Sequence, residues 1–123
     1  MSSPATAFLG YGYIINKYED SPMPNHLGED WDLNPDWEKW ADEFCDSEFC
    51  WPICSYVDDE IRFFGIKLTD SIDPGEYVEF GNDWPHFDKE CIPEWNRFMA
   101  EFEKFFPNSD RKPQYIFVNI FWD

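Results

Sequence analysis

Residues 115–122 read YIFVNIFW, seven β-branched or aromatic side chains around a lone Asn119. Such side chains fit a pleated, buried surface, and a run that is apolar on both faces is expected at the centre of a sheet. Upstream, Pro93 opens a helix in which Trp95, Phe98, Met99, Phe102 and Phe106 mark one buried stripe. Glu94, Arg97, Glu101 and Lys104 fall on its other face, spaced for ion pairs worth about 0.2–0.5 kcal/mol each. Pro107 stops that helix and returns the chain to its last strand.

Earlier in the chain, residues 7–16 (AFLGYGYIIN) form a first strand, followed by a long polar loop to residue 33. Asn34 then caps a helix with Pro35 at its first position and Asp36 and Glu38 at the positive end of its dipole. Trp37, Trp40, Ala41 and Phe44 follow at helical spacing, and the helix ends near Cys45. Residues 51–57 and 61–68 read as a hairpin turned by Asp58-Asp59-Glu60, and residues 76–80 as a short extra strand. The order β-α-β-β-α-β is the split βαβ, ferredoxin-like arrangement: an α+β fold, one domain over residues 1–123, with an antiparallel or mixed sheet and two helices. The first and last strands are expected at its centre, and the core to contain Phe8, Tyr13, Trp40, Phe64, Phe98, Phe102 and Phe117.

The charge is the other dominant feature. The 123 residues carry 26 acids against 9 bases, a formal charge of −17, yet 21% are aromatic, so the chain has the apolar payload to fold. That balance argues against direct binding of nucleic acid, free nucleotides or anionic membranes, all of which need basic side chains. Fourteen carboxylates lie between Glu19 and Glu60 with Lys39 as the only base, leaving −13 on one stretch. The expected binding residues are Asp30, Trp31, Asp32, Asp36, Asp42, Glu43, Asp46 and Glu48, with charge steering the encounter and aromatic rings holding the complex. Trp37, Trp40 and Trp51 are assigned to the core instead, while Trp31 and Trp84, in loops, are candidates for exposure. The competing reading is a solubilising surface on a structural interaction domain.

Chemistry has little support. Asp30-Trp31-Asp32-Leu33-Asn34 opens like a calcium loop, but Pro35 stands where the turn glycine belongs and Ala41 where the bidentate Glu belongs. Cys45, Cys50, Cys54 and Cys91, with His86, offer zinc ligands without the Cys-x2-Cys spacing; buried or idle thiols are expected, and a small metal-binding domain is the alternative function. His26 and His86 lie in loops, and no nucleophile motif or glycine-rich phosphate loop is present, so neither an enzyme nor a cofactor is expected. With no basic leader and no long apolar run, a cytoplasmic monomer or homodimer is expected.

The layout resembles that of small acidic bacteriophage proteins, through the opening Phe8-Leu9-Gly10-Tyr11-Gly12-Tyr13, the central Phe64-Gly65-Ile66-Lys67-Leu68, the late aromatic helix and the final Phe121-Trp122-Asp123. Phage proteins of this surface character include anti-restriction and anti-CRISPR inhibitors, some of which look like nucleic acid to their targets. The resemblance implies an inhibitor acting in a host cytoplasm on a basic, nucleic-acid-binding protein such as a defence nuclease. It carries over no site residue, because those inhibitors share surface character rather than a motif.

Overall fold

Asn34 starts the first helix as its side chain dictates: its Oδ1 accepts from the backbone N–H of Asp36 at 3.0 Å and of Trp37 at 3.2 Å. The computed structural model describes residues 5–22, 34–53, 61–73, 75–77, 79, 81–82 and 84–121. Within these the elements are β1 (Ala5–Asn16), α1 (Pro35–Cys45), β2 (Cys50–Pro52), β3 (Ile61–Lys67), α2 (Ile92–Phe105, preceded by a 3₁₀ turn at Lys89–Cys91) and β4 (Gln114–Phe121). They form an α+β fold with one antiparallel sheet in the order β2-β3-β1-β4, and β3 is inserted between β1 and β2 as the split βαβ unit requires.

The central pair is therefore β1 and β3, and β4 lies at the edge, contrary to the expectation from its composition. Steric fit at the β1–β3 pairing shows what these two strands share. Gly12 faces Gly65 in the register, and a Cβ on Gly12 would stand 2.6 Å from the Gly65 Cα. Beside them the Phe63 ring fills the space that a Cβ on Gly10 or Gly65 would need. A strand without glycine, such as β4, cannot make this close approach. Of the extra strand expected at residues 76–80, the described Glu76, Tyr77 and Glu79 are not in a strand; Ile72 instead forms an isolated bridge with Ala7. The pairing of the expected hairpin stands at Cys50↔Phe64 to Pro52↔Arg62, while its turn lies outside the described residues.

Both helices cover one face of the sheet. Tyr13, Ile15, Phe64 and Ile66 meet Trp37, Trp40, Ala41 and Phe44 of α1 and Phe98, Phe102 and Phe105 of α2, all buried. Tyr13 stacks on Phe102 with ring centres 4.4 Å apart. The opposite face carries a smaller cluster of Phe8, Phe63 and Val118, flanked by Trp51, Ile53 and Ile116. Of the expected core, Phe117 is the exception at 70% exposure, because it sits on the helix-side face of the edge strand beyond the reach of either helix.

Replacing Phe102 by Ala is expected to cost about 3–5 kcal/mol in urea unfolding, through lost burial and a cavity, whereas Phe117→Ala should cost under about 1 kcal/mol. Burial first, then the neighbouring Tyr11 and Glu103, push the Tyr13 phenol above its ordinary 10.0. The folded state thus holds this proton more tightly than the unfolded chain, so the associated stability is present below pH 10.0 and is lost as pH rises beyond it. Melting scans across that range should show a smaller alkaline loss for Tyr13→Phe than for the wild type.

Candidate acidic binding face

The helical period that buries Trp37, Trp40, Ala41 and Phe44 forces the charged residues of α1 outward. Asp36, Glu38, Lys39, Asp42 and Glu43 are exposed, as is Asp46 at the C-cap. Glu38, Asp42 and Asp46, four residues apart, form one row; Asp36 and Glu43, seven apart, form a second, with Lys39 between them. Five carboxylates less the Lys39 charge leave −4. Over ten residues of helix, about 15 Å, that is roughly one charge per 4 Å. One strand of duplex DNA carries one per about 3.4 Å of axis.

This charge is not arranged for stability. Asp36 and Glu38 favour the positive end of the helix dipole, but Asp42, Glu43 and Asp46 crowd the negative end, where the last turn has no base. Each such placement costs about 0.3–1 kcal/mol at low ionic strength. Asp42 also stands four residues from both Glu38 and Asp46, the spacing at which like charges repel.

Glu48 differs from the rest. Between α1 and β2, its Oε1 accepts from Arg97 Nη2 of α2 at 2.5 Å, and the same guanidinium lies 5.6 Å over the Phe49 ring. Both partners are mostly exposed, so the pair contributes little. It replaces the pairing expected for Arg97 within α2. The other ion pair between described residues joins Arg111 to Asp20 at 2.7 Å. Lys67, Lys104 and Arg111 also lie over the rings of Phe8, Phe105 and Phe106. These bases are placed on aromatic surface rather than against the α1 carboxylates.

The structure thus brings Asp36, Asp42, Glu43 and Asp46 together on one helix, with Glu48 just beyond it. Asp30, Trp31 and Asp32 lie outside the described residues. Trp37 and Trp40 are buried and Trp51 is half-buried, while Trp84 is 64% exposed.

Among the described residues the metal readings find no geometry. Asn34, the fifth residue of the calcium-like run, uses its side-chain oxygen as the helix cap. Cys45, Cys50 and Cys91 form no disulfide with one another, Cys54 and His26 lie outside the described residues, and no three ligand-type side chains among the described residues come together to hold a metal. The Cys91 thiol donates to Asp88 Oδ1 at 3.6 Å, an oxygen that also caps the 3₁₀ turn by accepting from Glu90 N. His86 Nδ1 lies 2.9 Å from the Trp84 carbonyl. No helix among the described residues is long and apolar enough to cross a membrane.

Sequence reasoning missed one feature, a shallow groove of about 630 Å³ between the end of β3 and the start of α2, lined by Lys67, Thr69, Asp70, Ser71, Pro85 and Glu94. Two of these lining residues are joined, Lys67 Nζ donating to Ser71 Oγ at 2.7 Å. It joins segments distant in sequence, and no local motif announces it.

Asn34→Ala removes both cap bonds and is expected to lower stability by about 1 kcal/mol in denaturant unfolding, whereas Asn34→Asp keeps the acceptor and should be nearly neutral. Compared with known proteins, the chain matches no family model, no curated protein and no solved structure.

Proposed function

We propose that the protein is a non-enzymatic binding protein whose acidic face, built on residues 19–60 and including α1, occupies the basic groove of a protein that handles nucleic acid, with a defence nuclease as the target class. The observation that carries this reading is the crowding of Asp42, Glu43 and Asp46 at the negative end of α1. A coat needed only for solubility can sit anywhere on the surface, whereas these residues oppose their own helix. The axial charge density of α1, near that of one nucleic-acid strand, supports the same reading. Binding of this kind needs no chemistry: opposite charges steer the encounter, and occupancy excludes DNA or RNA competitively.

The test is capture of a partner from bacterial lysate at low and high salt, followed by competition with DNA and RNA. Neutralising Asp30, Asp32, Asp36, Asp42, Glu43 and Asp46 together to their amides should abolish capture while leaving the melting temperature unchanged or raised, since repulsion is relieved. Asp36→Asn alone should have a small effect. A captured partner without a basic surface, or one retained by the sixfold variant, would overturn the proposal.

A further inference from the structure

We infer that the outer edge of β4 is an interface between two copies of this chain, joined antiparallel about a two-fold axis at Phe117 into one eight-stranded sheet. The two edges of the sheet are built differently. β2 is three residues long and ends on Pro52, and short edge strands and prolines are the means by which sheets avoid pairing with other chains. β4 runs for eight residues without a proline or a charged side chain, and its register with β1 is continuous, so no bulge twists it away.

The backbone on that edge is set for pairing. Leu9 donates its N–H to Thr69 Oγ1 at 3.0 Å, and its carbonyl accepts from Leu68 N at 2.8 Å; Ala7 exchanges both bonds with Ile72. Leu9 and Ala7 thus direct their polar groups away from β4, so their partners Phe117 and Asn119 direct theirs outward. By the two-residue period Tyr115 does the same. Among the described residues no strand meets these groups. A two-fold axis at Phe117 places Phe117 opposite its own copy and Tyr115 opposite Asn119 of the other copy, so the outward donors and acceptors match by symmetry.

Side chains and charge agree with a second copy as the occupant. Phe117 is 70% exposed and Tyr115 51%, and pairing sets the two Phe117 rings side by side on one face. On the other face the same register sets the half-buried Ile116 of each copy opposite Val118 of the next, whose side chain is already buried in the Phe8–Phe63–Val118 cluster of its own copy, so the exposed contact of the junction lies on the Phe117 face. The acidic α1 packs beside β2, three strand spacings or about 14 Å from β4, so the pairing leaves both acidic helices at the outer ends. Residues leading into β4 are the basic Arg111 and Lys112.

Sedimentation equilibrium of the full chain tests this independently of any target. A particle of twice the 14.8 kDa chain mass is expected. Its association should strengthen with salt as repulsion between two −17 copies is screened, the opposite of the salt response of the acidic face. Phe117→Lys puts like charges opposite each other at an exposed position and should weaken association at least about tenfold. Asn119→Pro, which removes an outward N–H and no bond to β1, should do the same without unfolding the chain. In hydrogen exchange the amides of Tyr115, Phe117 and Asn119 should be protected in the wild type and exposed in both variants. A monomeric wild type, a dimer that survives both substitutions, or an open-ended polymer would overturn the inference.

Discussion

Phe64 is the residue through which both helices hold the sheet. Its ring lies 4.9 Å from Phe44 of α1 and 4.9 Å from Phe98 of α2, both edge-to-face, and within 6.2 Å of Phe102 and Phe106. Such pairs add about 0.5–1.5 kcal/mol each to the burial of their area. The arrangement requires β3 to run through the middle of the sheet. Gly65 next in sequence makes that position possible by letting β3 close against Gly12, while Phe63 on its other side packs the opposite face.

An aromatic core of this density also accounts for how a short chain tolerates its charge. A net −17 opposes compaction, and ion pairs between described residues offset little of it. Large rings bury more apolar area per residue than aliphatic side chains do, so fewer positions are needed for the core and more remain for carboxylates. Several bases extend this economy by covering ring faces with their stems and charges instead of neutralising the acidic helix.

The sheet separates two surfaces of opposite character. On one side stand β2, short and closed by Pro52, and α1 with its rows of carboxylates; on the other stands β4, uncharged and paired on its outer edge with no other described strand. The two proposed modes of association, electrostatic through α1 and backbone-mediated through β4, therefore use surfaces at opposite ends of the sheet, and salt is expected to act on them in opposite directions.

Both helices were legible in the residues because their signals are local. Asn34-Pro35 and the 3.6-residue spacing of Trp37, Trp40 and Phe44 define α1, and the same period that buries those rings places Asp36, Asp42, Glu43 and Asp46 outside. The acidic surface of α1 was therefore readable in advance. The rank of β4 was not: an apolar run describes side chains, whereas strand order depends on which backbones can approach, and that rests on the meeting of Gly12 and Gly65 across 53 residues of sequence. For the same reason Phe117, apolar by type, faces solvent, and Arg97, spaced for partners on its own helix, reaches Glu48. Local periodicity determines which face of an element is buried against something; which element supplies the cover is settled only when the chain has closed.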